Sequence, residues 1–153
     1  MSRAPLRARI VSVVVLRGAA ADAEVLLMRR TGSNAGTWCQ VAGKVEPGET
    51  AWQAGLRELR EETGLAPETY WSADFVERFY EPARDAVALV PVFLARVPPG
   101  AEPVLDAEHD AHVWLRLADA IARVSFGGQR EMLAWIGREF LDRTPSAHLR
   151  IAT

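Results

Sequence analysis

The residues best suited to chemistry are three glutamates, Glu58, Glu61 and Glu62, in the run Arg57-Glu58-Leu59-Arg60-Glu61-Glu62-Thr63-Gly64-Leu65. On a helix, Glu58 and Glu62 lie one turn apart on a common face with Glu61 beside both, so three carboxylates are expected to converge. Like charges at that spacing destabilise an isolated helix by about 0.2–0.5 kcal/mol per pair. A hard divalent cation relieves the repulsion. Mg2+ takes oxygen ligands, keeps several waters and joins carboxylates to substrate phosphates, and Mn2+ shares the preference for oxygen. Zinc fits worse, because Cys39 is the single cysteine and the histidines are not spaced as its ligands. The competing reading is a solvated face on which Arg57 and Arg60 pair with Glu61 and other acids. The helix alone leaves both open.

A helix that carries such a site must be held rigidly. Over Thr50 to Thr63, Trp52, Leu56 and Leu59 fall on one face, Gly64 supplies a left-handed stop, and Leu56, Leu59 and Leu65 can anchor the element. A Pro47-Gly48 turn precedes it. Upstream, Arg9 to Arg17 and Glu24 to Arg30 read as strands of a hairpin turned at Gly18 to Asp22, and Thr37 to Ala42 reads as one short strand leading to Gly43. Downstream, Trp71 to Tyr80 and Ala86 to Val97 read as strands joined by Glu81 to Asp85, with Pro98-Pro99-Gly100 as a breaker. A strand over His109 to Leu115 and helices over Leu117 to Val124 and Gln129 to Leu141 follow, and Pro145 to Thr153 reads as a weakly packed tail. The expected class is mixed α and β.

Composition narrows the partners. A chain of 153 residues with 49% apolar and 25% charged residues matches one globular domain, 1–153, with its core over about 6–142 and a tail over 143–153. Net charge is −2 and the basic residues are scattered, so no nucleic-acid polymer is expected as partner. The apolar runs Ile10 to Leu16 and Ala86 to Ala95 are too short to span a bilayer, so no membrane partner is expected. A lone cysteine and an N-terminus without secretory features make a reducing cytoplasm the expected location.

The full spacing is more specific than the helix. Gly43 is followed by five residues, Glu49, seven residues, and then Arg57-Glu58-Leu59-Arg60-Glu61-Glu62-Thr63-Gly64-Leu65. This segment resembles the signature of the Nudix hydrolases at every defined position, and the likeness extends over roughly residues 6 to 142. It implies a loop-helix-loop on a mixed sheet in an α/β/α sandwich. It also implies that Glu58 and Glu62 ligate metal, that Glu61 does so directly or through water, that the Gly43 carbonyl completes the set, and that Arg57 and Glu49 orient loop and helix. The implied reaction is attack of water on a phosphoanhydride phosphorus with two or three Mg2+ ions neutralising the oxygens. Glu58 and Glu108 are both candidates for the general base, and Glu108 is then a further metal-site candidate. Homodimers are common in the family, although no stretch of this chain marks an interface.

Looser matches concern the substrate. Val25-Leu26-Leu27-Met28-Arg29-Arg30, Trp38 with Gln40 and Val41, Glu108-His109, and Ser125-Phe126 are similar to the bacterial dihydroneopterin triphosphate pyrophosphohydrolases. They imply a nucleoside or pterin triphosphate cut to pyrophosphate and a monophosphate, with Arg29 or Arg30 on phosphate or base. Nucleotide sugars, dinucleoside polyphosphates and capped RNA are the rival substrates within the family, and a nucleotide-binding domain without catalysis is the rival class. The complete set of box acids argues against that last reading.

Overall fold

The computed structural model describes residues 1–153. In chain order it contains β1 (Leu6–Arg7), β2 (Ile10–Arg17), β3 (Glu24–Arg30), β4 (Trp38–Cys39), β5 (Val41–Lys44), α1 (Ala51–Thr63), β6 (Thr69–Glu81), β7 (Ala86–Val97), β8 (His109–Arg116), α2 (Leu117–Arg123), α3 (Gly127–Ile136) and β9 (Arg150–Ile151). The strands form one mixed sheet in the order β4-β3-β2-β7-β6-β9, with β1 on β7, β5 on β2 and β8 on β3. The β2–β7 and β1–β7 pairings are parallel and the others antiparallel.

β2 reads as an almost continuous apolar run because both of its faces are covered. Val11, Val13 and Val15 face α1 and pack with Ala54, Leu59 and Tyr70. Val14 and Leu16 face the other way, into a cluster with Ala120 of α2 and Met132, Leu133 and Ile136 of α3. Helices therefore lie on both faces of the sheet, which is the expected α/β/α sandwich. No helix is long and apolar enough to cross a membrane.

The expected hairpin is real only at its closed end. β2 and β3 pair at Leu16↔Val25 and Arg17↔Glu24 and then diverge. The expected Thr37 to Ala42 strand is split to fill this gap: β4 pairs with β3, while β5 pairs with the first half of β2. Gln40 sits at the crossing between the two. Its polar side chain is buried there with partners from two elements, Ser12 of β2 and Gln129 of α3.

The structure adds detail to two expectations at the end of the chain. The last helix is regular only to Ile136, and its final turn widens so that the Asp142 N–H donates to the Gly137 carbonyl at 2.8 Å. The terminal residues 145–153 include no buried residue, yet two of them join the sheet. Arg150 and Ile151 pair with Trp71 and Tyr70 at the sheet edge, and Leu149 and Ile151 pack on the two sides of the sheet. A two-residue strand is too short to show periodicity, so its signal is lost in the sequence.

Candidate active site

The glutamate helix is fixed at three points. At its start, Thr50 and Gln53 exchange bonds in a capping box: the Gln53 N–H donates to Thr50 Oγ1 at 3.3 Å and the Thr50 N–H donates to Gln53 Oε1 at 2.9 Å. At its end, Gly64 adopts φ 69°, as the stop signal required. In between, a Cβ at Gly55 would stand 2.3 Å from the Tyr70 hydroxyl, which donates to the Trp52 carbonyl at 3.1 Å. The bare backbone of Gly55 lets the helix lie directly on the sheet.

Gly43 performs the same service for the loop. Its strand partner is Val11 on the α1 face, and a Cβ there would lie 2.1 Å from Glu58 Cδ. The Glu58 carboxyl thus rests on the Gly43 backbone, a position no other residue type leaves free. Arg57 ties the rest together. Its guanidinium donates to both Glu49 oxygens (2.7 and 3.1 Å), to Glu58 Oε1 (2.8 Å), to Glu61 Oε2 (3.2 Å) and to the Lys44 carbonyl (2.7 Å). Glu49 also accepts the Glu46 N–H at 2.7 Å. The Arg57 bonds hold Glu49 below the ordinary carboxylate range, and the Glu49 bond raises Arg57 in turn.

Glu62 occupies the opposite situation. It is 2% exposed, and its Oε2 has no hydrogen-bond partner. Burial first, then adjacent Glu58, and then Asp106 and Glu108 hold its carboxyl well above the ordinary range. Its Oε1 lies 3.6 Å from His109 Nε2, and His109 Nδ1 is hydrogen-bonded to Asp106 Oδ1 at 2.8 Å. Glu108 is exposed on the same loop and is anchored through its carbonyl, which accepts the Thr31 N–H at 3.0 Å.

These features fit a hard divalent cation. An orphaned, proton-retaining carboxyl beside a second carboxylate is the state that a cation would relieve. The three box glutamates do not form a cage, however. No cluster of three His, Cys, Asp or Glu side chains is gathered for a metal. Glu58 and Glu62 lie together, whereas Glu61 turns outward to Arg57. A two-carboxylate site suits Mg2+, which completes its shell with water and substrate phosphates.

The other expected residues separate. Along β3, Met28 packs toward α1 and Leu27 toward α3, so Arg30 and Arg29 point to opposite faces of the sheet. Arg29 donates to Asp110 Oδ1 at 2.7 Å and lies over Trp38, while Arg30 donates to the carbonyl and Oγ of Ser33. They cannot serve one phosphate as equivalent alternatives. Lys44 is in register with Ile10 and borders a cleft of about 110 Å³ with Arg7, Arg9, Glu81 and Arg84.

On the α3 side, Gln129 Nε2 donates to Gln40 Oε1 at 3.1 Å and Gln40 Nε2 donates to Ser12 Oγ at 2.6 Å. Ser12, Gln129, Asp106 and Glu77 are not distinguished by the sequence. Glu77, Asp106 and Gln129 stand near other polar residues and carry no signal, and only Ser12, which interrupts the apolar run from Val11 to Leu16, could have been flagged.

Residues 6–136 match the NUDIX domain model. The chain belongs to the Nudix hydrolase family. It is 38% identical over 135 residues to an octanoyltransferase of Myxococcus xanthus, covering 84% of this chain and 36% of that protein. The chain therefore spans about a third of that relative's length. It is 35% identical to the asymmetrical bis(5'-nucleosyl)-tetraphosphatase of Mus musculus, over 71% of this chain and 75% of that one. Among solved structures, an Ap4A hydrolase binary complex from C. elegans superposes with a TM-score of 0.76 at 25% identity, covering 90% of this chain and 100% of that chain. The E. coli dihydroneopterin triphosphate pyrophosphohydrolase gives 0.69 at 25% identity, over 86% of this chain and 95% of that one. Both the Nudix membership and the sandwich fold expected from the Gly43 to Leu65 spacing therefore stand.

Proposed function

We propose that this Nudix domain is a divalent-metal-dependent pyrophosphohydrolase that cuts a nucleoside or pterin triphosphate to pyrophosphate and a monophosphate. The observation that carries the reading is the seating of Glu58 on Gly43 directly beside the buried, half-partnered Glu62. Glu58 and Glu62 would hold Mg2+ (or Mn2+), with the Gly43 carbonyl and Glu61 completing the shell directly or through water. Bound there, the metal supplies charge neutralisation on the phosphate oxygens and a more acidic water. Arg57 and Glu49 keep the loop and helix in register, so that the Glu58 carboxylate stays where phosphate must arrive. Asp106 holds the His109 ring, which closes the inner side of Glu62. Glu58 or Glu108 takes the proton from the attacking water. Glu108 has the freedom that an exposed loop side chain allows, whereas Glu58 is confined by Gly43 and Arg57.

A second reading is favoured by the cleft beside Lys44. Arg7, Arg9 and Lys44 form no side-chain ion pairs there, and Glu81 is bonded to Arg84, so the cleft has surplus positive charge next to the catalytic loop. Such a surface suits a longer polyphosphate, as in a dinucleoside tetraphosphate, the class named for the mouse relative. Product analysis separates the two. With a nucleoside triphosphate and Mg2+, pyrophosphate plus monophosphate supports the first reading. Turnover of the dinucleoside tetraphosphate alone, giving a triphosphate and a monophosphate, replaces it with the second.

A further inference from the structure

On the α3 side of the sheet one polar group is left unsatisfied. Glu77 is 9% exposed, its Oε2 has no hydrogen-bond partner, and burial alone raises its pKa. Its neighbours are satisfied: Ser12, Gln40 and Gln129 bond to one another, and Gln129 Oε1 also accepts the Phe126 N–H. A buried carboxyl without a partner is costly, and native structures keep few of them.

The position of Glu77 explains where a partner could enter. Phe75, Glu77, Phe79 and Glu81 alternate along β6 on the face covered by α3. Phe75 lies under Trp135, and Glu77 lies under the first turn of α3, where a Cβ on Gly128 would stand 3.4 Å from its Cγ. The helix begins there, so Phe79 beyond it is 42% exposed, and Phe126 just before the helix is 54% exposed. Two exposed aromatic residues thus adjoin the segments around the buried carboxyl, Phe79 two positions along the same strand face and Phe126 two residues before Gly128. On the far side of Ala88, the strand partner of Phe79, the same sheet face continues to the cationic cleft and Lys44.

Flat ring faces suit stacking, and an ionised carboxylate only accepts hydrogen bonds, through two oxygens side by side. Its best complement is a heterocycle edge with two adjacent donors. The ring N–H and exocyclic amine of a 2-amino-4-oxopyrimidine ring are such an edge, and guanine and pterin share it. Adenine and cytosine place a donor beside an acceptor, and hypoxanthine lacks the amine. Resting on the triphosphate reading above, we propose that Glu77, between Phe79 and Phe126, reads this donor–donor edge, so that the preferred substrates are guanine or pterin triphosphates.

The test compares kcat/KM for GTP, ITP, ATP and a pterin triphosphate with Mg2+, in wild-type protein and in Glu77→Gln. The expected wild-type result is GTP over ITP by about tenfold or more, as for loss of one arm of a bidentate contact, with ATP below both. In Glu77→Gln the GTP to ITP ratio falls to near one while Tm is kept or raised, because the orphaned carboxyl is gone. The pterin arm decides which of the two rings is preferred. Equal use of GTP and ITP, preference for ATP, or a Glu77→Gln ratio like wild type overturns the proposal. If no triphosphate is cut, the triphosphate reading fails, and calorimetric binding of GMP against IMP still decides the role of Glu77. Tighter GMP binding that depends on Glu77 supports it, and equal binding overturns it.

Discussion

The two faces of the sheet solve the placement of buried polar groups in opposite ways. On the α1 face, charges are concentrated within one continuous segment, and Arg57 bonds Glu49, Glu58 and Glu61 while Glu62 is left with an unsatisfied oxygen. On the α3 face, three uncharged groups from separate parts of the chain form a short series, Ser12 to Gln40 to Gln129, and Glu77 is the residue left over. Each face therefore keeps one carboxyl oxygen without a partner. The first sits among acids and fits a cation. The second sits beside exposed aromatic rings and fits an organic donor.

The most damaging change to the α1 face is Gly43→Ala, whose methyl group would occupy the place of the Glu58 carboxyl. Loss of kcat on the order of 100-fold or more is expected, because misplacement of a catalytic group by about 1 Å has that effect. Retained activity in Gly43→Ala would show that Glu58 need not rest where it does. Next is Arg57→Lys, which keeps the charge and abolishes the two-pronged bond to Glu49. A fall of about 10–100-fold in metal affinity or activity is expected, the usual cost of losing a group that orients metal ligands. If Arg57→Lys behaves as wild type, its bonds to the acids are ornamental.

A smaller effect is expected across the sheet. Gln129→Ala leaves Gln40 Oε1 without its donor, so stability should fall by about 1–3 kcal/mol. Because the proposed metal site lies on the other face, Mn2+ affinity should stay within about twofold, a shift of about 0.4 kcal/mol. A large loss of metal binding in this variant would break the division between faces.

The mildest test is pH. Metal-free Glu62 keeps its proton to about 9 when folded, against the ordinary carboxylate range when unfolded. The folded state then binds more protons between those values, so this contribution to stability is complete at low pH and is lost as pH rises toward 9. Thermal melts of the metal-free protein should show Tm falling over that window, with less of a fall in Glu62→Gln. An identical pH profile in the variant would remove Glu62 as the cause.

The same contrast explains what could be read in advance. The α1 site was legible because its parts lie within Gly43 to Leu65, where helix periodicity and fixed spacing convert directly into geometry. Thr50 to Thr63, the Gly64 stop and the adjacency of Glu58 and Glu62 followed from local rules. The outward turn of Glu61 did not, because it depends on which acids win the five donors of Arg57. The α3 side was not legible. Ser12, Gln40, Glu77 and Gln129 come together only after β2 and β3 splay and β6 pairs with β7, and apart from the break Ser12 makes in an apolar run none carries a local pattern. Arg29 and Arg30 look equivalent in the chain, yet strand alternation sends them to opposite faces.

The central claim is that Glu62 and Glu58 together form the metal site. Calorimetric titration of Mn2+ into wild-type protein and Glu62→Gln, alongside hydrolysis of a triphosphate with Mg2+, tests it most directly. The expected result is measurable binding in wild type that is lost in the variant, together with a fall in kcat on the order of 1,000-fold, about 4 kcal/mol in barrier. Metal binding and turnover at wild-type levels in Glu62→Gln, with the protein still folded, would contradict the account.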